Sequence, residues 1–313
     1  MSALEIRGLV KRYGAITAVD GLDLDVPSGA VFGFLGPNGA GKTTTLRMVA
    51  GLSAPTSGTI RIFDRAVRFG SHAGRERIGY LPDVPECYGY LKPVEFLTLC
   101  ADLCGVERAV QRVRIPELLE LVGLEKEKRR IGGFSRGMKQ RLGIAQALVN
   151  APDLVMLDEP ASALDPAGRK DVMDVIGRLS ERTTVFFSTH ILADIERVCD
   201  RVAILVQGRC VVEDSIDGLR RQYALDAHRI RLAAISDEAR CAEAGRFADR
   251  LSRLPWCVGI RMEPEGDLIV TYRDLAAARR GILSEAVGQD LPVERFEPVE
   301  PSLESIFMKV VGT

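Results

Sequence analysis

Neither sign of charge prevails in this chain. Its 42 basic residues stand against 43 acidic ones, a formal net charge of −1. Such a balance provides no global positive field to gather nucleic acid or anionic lipid, so a nucleic-acid partner is not expected. Long apolar runs are also missing. The longest, such as Val31–Leu35 and Val202–Val206, fall far short of the roughly 20 residues that span a bilayer. The opening Met1-Ser2-Ala3-Leu4-Glu5 lacks the basic-then-apolar order of a secretory signal. The expectation is a chain that stays in the cytosol, so that any work at a membrane needs spans supplied by another chain. Metal-type cysteine spacing is absent too. Cys100 and Cys104 share a helical face, but no second pair follows, and the seven cysteines read as small buried residues in a reducing compartment. No internal repeat or low-complexity stretch is visible.

What is present fits two domains of ordinary size, since 313 residues exceed one minimal domain. The first ~215 residues alternate short strands with amphipathic helices, the pattern of a layered α/β domain. Leu22, Leu24 and Val26 alternate with Asp23 and Asp25, a half-buried strand. Val31–Leu35, Leu154–Leu157, Thr184–Ser188 and Val202–Val206 are continuous apolar strands buried on both faces. Pro93 opens a helix whose apolar side carries Phe96, Leu97, Cys100 and Leu103. Asp165-Pro166 is an N-cap and first-turn pair for a helix with Val172, Val175, Ile176 and Leu179 on one stripe. The stretch from about 80 to 151 is helix-rich. After about Tyr223 a new order begins: strand Arg229–Ala233, helix Glu238–Leu254, strand Cys257–Met262, strand Leu268–Tyr272 after a turn at Asp267, helix Leu275–Val287 and strand Val293–Glu297. That β-α-β-β-α-β order is a small ferredoxin-like unit.

Three segments carry chemistry. Gly36-Pro37-Asn38-Gly39-Ala40-Gly41-Lys42-Thr43 lies between a strand and a helix and matches the phosphate-binding loop. Its glycines let backbone N–H groups turn inward, Lys42 reaches the β- and γ-phosphates, and the Thr43 hydroxyl suits Mg²⁺. The strand Leu154–Leu157 ends in Asp158-Glu159. Asp158 suits Mg²⁺, and Glu159 can act as general base on the attacking water. His190 follows the strand Thr184–Ser188. It is either a structural strand-end histidine or a group that holds the γ-phosphate and water in line. A fourth segment, Phe134–Arg141, puts Ser135 and Gly137 at a helix start, where physics alone reads a cap.

Taken together, these segments resemble the ATPase domain of ATP-binding-cassette (ABC) transporters over about residues 1–220. The phosphate loop, Ser135-Arg136-Gly137-Met138-Lys139-Gln140, Asp158-Glu159, Ser162-Ala163-Leu164-Asp165 and His190 follow the family's order and spacing. The resemblance implies an α/β P-loop NTPase core over residues 1–222 with a helical subdomain at about 84–151, then an α+β accessory domain over 223–313. It implies ATP and Mg²⁺ as cofactors. Catalytic roles fall on Glu159, His190 and Lys42. Nucleotide contacts fall on Tyr13, which would stack on adenine, and on Gly36, Asn38, Gly39, Gly41, Lys42, Thr43 and Thr44. Two such domains would pack head to tail, so that Ser135 and Gly137 meet the γ-phosphate bound by the partner and Asp165 lies at the seam. The metal would fall to Thr43, Asp158 and Asp83.

Two segments depart from the family's pattern. Arg136 and Met138 replace the usual glycine and frequent glutamine, a form similar to ABC-2 type exporter subunits. Asp83 replaces glutamine, keeping an oxygen ligand on a shorter, charged side chain. The closing Pro301–Phe307 resembles the end of a domain appended to drug-exporter ATPases. The implied protein is an ATP-hydrolysing subunit at the inner face of the cell membrane, with a separate multispanning permease and a second copy of itself as partners. A soluble ABC ATPase without a transport role is the alternative. Only about ninety residues, without sustained heptads, separate phosphate loop and signature, against a chromosome-type member. The single phosphate loop stands against a two-cassette ribosome-type member. A non-hydrolysing switch is opposed by Glu159 and His190.

Overall fold

A computed structural model of the chain describes residues 1–70, 75–162, 164–223, 226–234, 236–299 and 301–311. Ala163 of the Ser162–Asp165 motif lies outside the described residues. The chain divides into two compact units, residues 1–216 with the last residues from Phe307, and residues 217–306. The sequence reading put the boundary at 222/223, where the composition changes. The observed division comes at the first residue of a helix that ends there.

The first unit holds two sheets. One is antiparallel, ordered β2-β1-β4-β5, from β1 (Ser2–Tyr13), β2 (Ile16–Pro27), β4 (Ser57–Ile62) and β5 (Arg65–Ala66). The other is built on β3 (Val31–Leu35), β6 (Ile78–Leu81), β7 (Leu154–Asp158), β8 (Thr184–Thr189), β9 (Arg201–Val206) and β10 (Arg209–Ser215), ordered β10-β9-β3-β8-β7-β6. Its strands are parallel except at the β10 edge. Helix α1 (Lys42–Val49) joins the two sheets in one core, where its Leu46 and Val49 share a cluster with Leu4, Ile6 and Leu24 of one sheet and Phe32, Phe34 and Phe186 of the other. The antiparallel sheet was legible only in the Leu22–Val26 alternation. Elsewhere β1 mixes buried, half-buried and exposed residues through several register shifts, which blurs the period of two.

Between β6 and β7 lie α2 (Pro93–Leu103), α3 (Arg108–Leu121) and α4 (Arg136–Ala147). Phe96 and Leu97 of α2 are buried as expected, but Leu103 is 80% exposed. It stands at the helix end, past the last turn that the insertion covers. The cysteine reading also needs correction: all seven thiols are free, six only partly buried and Cys104 exposed. Helix α5 (Pro166–Leu179) starts as expected, with Asp165 accepting from the Gly168 N–H and Val172, Val175, Ile176 and Leu179 buried. Then come α6 (Leu192–Val198) and α7 (Ile216–Gln222).

The second unit contains β11 (Ala227–Leu232), α8 (Asp237–Leu251), β12 (Cys257–Met262), β13 (Leu268–Tyr272), α9 (Leu275–Gly288) and β14 (Val293–Pro298). The order β12-β13-β11-β14, antiparallel throughout, is the arrangement that β-α-β-β-α-β takes in a ferredoxin-like unit. Its own core gathers Ile230, Phe247, Leu268, Val270 and Ile282. Helix α10 (Leu303–Val311) closes the described chain.

Candidate active site

Parallel pairing brings the chemistry together. Leu35 pairs with Thr189, and Asp158 with Ser188, so β3, β7 and β8 release their C-terminal ends side by side. Open α/β sheets bind ligands at such ends. Here a cleft of about 380 Å³ is lined by Asn38, Gly39, Gly41, Lys42, Thr43 and Thr44 on one side and Asp83, Glu159, Ser162 and His190 on the other. The loop's tight path depends on Gly41. Its φ is 103°, and a Cβ there would lie 2.4 Å from the carbonyl oxygen of Ala18, so no other residue fits without displacing backbone. That turn leaves the first N–H groups of α1 facing the cleft, an anion-binding arrangement.

Lys42 is buried. Its Nζ donates to the carbonyls of Gly36 at 2.7 Å and Pro37 at 3.2 Å, and lies 3.1 Å from Glu159 Oε1. The other Glu159 oxygen is 2.8 Å from His190 Nδ1. Glu159 thus stands between a cation and an imidazole. Its backbone is unusual: φ is 48°, the left-handed region, in a residue that precedes Pro160. Both facts disfavour that conformation, and the backbone N–H is held by the Ser188 hydroxyl at 2.9 Å.

The Ser188 hydroxyl also donates to Asp158 Oδ1 at 2.7 Å, which accepts from the Thr43 hydroxyl at 3.1 Å. Burial pushes the Asp158 carboxyl above its ordinary pKa. The Ser188 and Thr43 hydrogen bonds pull it back, and the charges of Asp83 and Glu159 add to the rise. Nearby Tyr80 is pushed up to about 12, chiefly by burial and then by Asp158, so it stays a neutral phenol. Asp83 accepts from the Ser162 hydroxyl at 3.3 Å.

Six expected residues lie outside the cleft lining. Gly36 and Asp158 stand just behind it, joined to it through Lys42 and Thr43. Tyr13, at the end of β1, is 52% exposed, with Lys11 Nζ 4.8 Å from its ring centre. Ser135 caps α4, accepting from the Met138 N–H at 3.2 Å. Gly137 lies in that first turn and Asp165 caps α5. Sequence reasoning missed Ser188 and Ala18. A serine that follows Val185-Phe186-Phe187 in a buried strand demands a partner and was a usable signal. Ala18 contributes through its backbone and left none.

The donor set fits Mg²⁺. Among the described residues no cluster of three or more acidic, His or Cys side chains can hold an ion alone. Mg²⁺ seldom uses such a cage, preferring one or two carboxylates completed by substrate phosphates. A buried carboxylate and a hydroxyl sharing one hydrogen bond beside a phosphate loop match that preference.

This fold and cleft define a P-loop nucleotide-binding domain. The family model described as ABC transporter matches residues 19–162, and that of the C-terminal domain of DrrA1-3-like ATP-binding proteins matches 215–311. The bacitracin transport ATP-binding protein BcrA of Enterococcus faecalis is 39% identical over 312 residues, covering 99% of this chain and 96% of that protein. The daunorubicin/doxorubicin resistance ATP-binding protein DrrA of Streptomyces peucetius is 35% identical over 314 residues, covering 99% and 92%. The dimeric structure of MJ0796, a bacterial ABC transporter cassette, aligns with a TM-score of 0.62 at 25% identity, over 68% of this chain and 98% of that one. The chain belongs to the ATP-binding proteins of ABC transporters and is an ABC-type ATPase. The resemblance carried by its motifs holds across both units. None of the described helices is long and apolar enough to cross a membrane.

Proposed function

We propose that this chain hydrolyses ATP to drive export of a drug or other small molecule through separate membrane-spanning subunits, from the inner face of the cell membrane. The observation that carries the reading is the convergence of Lys42, Glu159 and His190 at the ends of three parallel strands, 3.1 and 2.8 Å apart. End-to-end similarity to ATP-binding proteins of bacitracin transport and daunorubicin/doxorubicin resistance supports the exporter class.

In this reading Glu159 takes the proton of a water attacking the γ-phosphorus, as the bond to the β-phosphate oxygen breaks. His190 orients Glu159 and the transferred phosphate, and Lys42 offsets charge on the β- and γ-phosphates. Gly36, Asn38, Gly39, Gly41 and Thr44 present the loop backbone and its hydroxyl to the phosphates, and Tyr13 offers its exposed ring to adenine. Thr43 and Asp158 hold Mg²⁺, with Asp83 beside them, and the ion when bound neutralises phosphate charge. Two copies complete each site, since Ser135, Gly137 and Asp165 lie outside the cleft of their own chain. The dimeric cassette of similar fold supports that arrangement.

The test co-expresses the chain with candidate multispanning membrane proteins from the same organism. Wild-type protein is expected to lower the cellular content of an exported compound, and Glu159→Gln to abolish that while both chains still co-purify. Export unaffected by Glu159→Gln, or a chain that never co-purifies with a membrane protein, overturns the reading.

A further inference from the structure

His190 is bracketed by a buried polar chain for which the active-site reading has no use. Thr189, the last residue of β8, donates its hydroxyl to Asp194 Oδ2 at 3.3 Å and accepts the Ile191 N–H at 3.0 Å. One side chain therefore clasps the backbone on both sides of His190. Asp194, in the first turn of α6, is 3% exposed, and its other oxygen lies 2.9 Å from Arg169 Nε on α5. Arg169 sits one turn into that helix, its N–H donating to the Asp165 carbonyl at 2.9 Å.

A Cβ on Gly33 of β3 would lie 2.2 Å from Ile195 Cδ1, so α6 rests directly on the sheet. Arg169 Nε and Nη2 are buried without a hydrogen bond. The Nε contact with Asp194 is close but off the line of a hydrogen bond, so opposite charge compensates both groups. The Asp194 side chain is buried and that of Arg169 is 31% exposed, and such a pair gives little net stability, because desolvation of the buried partner opposes the attraction. What it does supply is a fixed geometry, and the geometry here ends at His190. Asp194 also feels the charge of Glu159, so both belong to one electrostatic neighbourhood.

We propose that Arg169, Asp194 and Thr189 are positioning residues that hold His190 against Glu159, with α5 as the anchor. The inference rests on the roles given above to Glu159 and His190. A misplacement of about 1 Å at such a group costs up to roughly a hundredfold in rate.

The test is steady-state ATP turnover by the purified full-length chain, with nucleotide binding and thermal unfolding measured in parallel. Thr189→Val keeps the shape and removes both hydrogen bonds. It is expected to lower kcat by about ten- to a hundredfold while leaving KM for ATP within about twofold. Thr189→Ser should restore most of the rate, and Arg169→Lys should retain more of it than Arg169→Met. Because the three act as a unit, Arg169→Met with Asp194→Asn should be no slower than the worse single variant. Normal kcat in a folded Thr189→Val, or losses that simply multiply in the double variant, overturns the proposal. So does a Thr189→Ser as slow as Thr189→Val. Glu159→Gln assayed alongside separates the failures. Turnover surviving in it removes the active-site reading itself, whereas its loss beside wild-type rates in Thr189→Val and Asp194→Asn removes the positioning role alone.

Discussion

Glu159 meets two demands that oppose each other. Its carboxylate must reach the cleft between Lys42 and His190, yet the backbone turn that aims it is one that few non-glycine residues adopt, at φ 48°. Such a conformation costs about 1–3 kcal/mol and persists only where its surroundings over-determine it. Ser188 provides that constraint by accepting the Glu159 N–H and donating to Asp158. Ser188→Ala leaves a buried N–H and a carboxylate oxygen short of partners, so a loss of about 1–3 kcal/mol in denaturant unfolding is expected, together with slower turnover. Glu159→Gln keeps the shape but removes the basicity. Hydrolysis should fall by roughly 10²–10⁴-fold while ATP still binds, read by phosphate release and by binding of a fluorescent nucleotide. Lys42→Ala should weaken binding instead, and unchanged ATP affinity in it would remove the phosphate role.

At the scale of elements, legibility followed the uniformity of the environment. Strands β3, β7 and β8 are buried along their whole length, so apolar runs betrayed them, and the polar groups at their ends betrayed the site. Helix α5 was readable from Asp165-Pro166 and its apolar stripe. Of the long β1–β2 pair only the Leu22–Val26 stretch of β2 was readable, because register shifts break the alternation elsewhere. Nor could periodicity place Ser162 against Asp83, a contact between segments 79 residues apart.

The segment from Asp83 to Leu91 shows the same limit. Tyr88 packs edge-on to Phe96 of α2 with ring centres 6.5 Å apart, yet it is 54% exposed, and neighbouring Tyr90 is 66% exposed. Internal packing thus leaves an aromatic surface free, of the kind that anchors interfaces. Tyr88→Ala with Tyr90→Ala should keep basal ATPase activity while export in cells falls. Cys87, partly buried in the same segment, should cross-link to the membrane chain in an ATP-dependent way. Normal export with no cross-link places the coupling elsewhere.

The second unit offers a separate test. His228 is buried, its Nδ1 2.8 Å from the Tyr272 hydroxyl, its ring stacked on Phe296 at 4.6 Å, and Arg279 Nε 3.4 Å from Nε2. Burial first, and then the Arg279 charge, hold its pKa below the ordinary histidine value. Below about pH 6.5 the unfolded chain therefore takes up the proton before the folded one. The contribution is fully present above that pH and declines as pH falls, by at most about 1.4 kcal/mol per unit for one proton. Trp256, the sole tryptophan, packs against this unit's core, so its fluorescence follows the unit's unfolding. His228→Gln should flatten the dependence of that transition between pH 7 and 5, and an unchanged slope would assign it to other groups.

For the whole molecule, the question is whether one chain holds a complete site. The cleft gathers the phosphate loop, Glu159 and His190, while Ser135 and Gly137 stand at the start of α4, outside its lining. A helix of twelve residues whose first turn carries a serine cap and a glycine has N–H groups suited to an anion. If that anion is the γ-phosphate held by another copy, Ser135 and Lys42 serve one ATP from opposite chains. Mixing Ser135→Arg with Lys42→Ala subunits then produces dimers in which one site carries both lesions and the other carries neither. Each variant alone should be nearly inactive, since both of its sites are damaged. Mixed dimers, isolated by two different affinity tags, should regain a substantial part of wild-type turnover through the intact site. A site contained within one chain predicts the opposite: every subunit in the mixture keeps its own lesion, and mixing restores nothing. Strict coupling of both sites would also give no rescue. A dimer with one wild-type and one Lys42→Ala subunit distinguishes the two, because independent sites retain about half the rate and coupled sites lose nearly all of it.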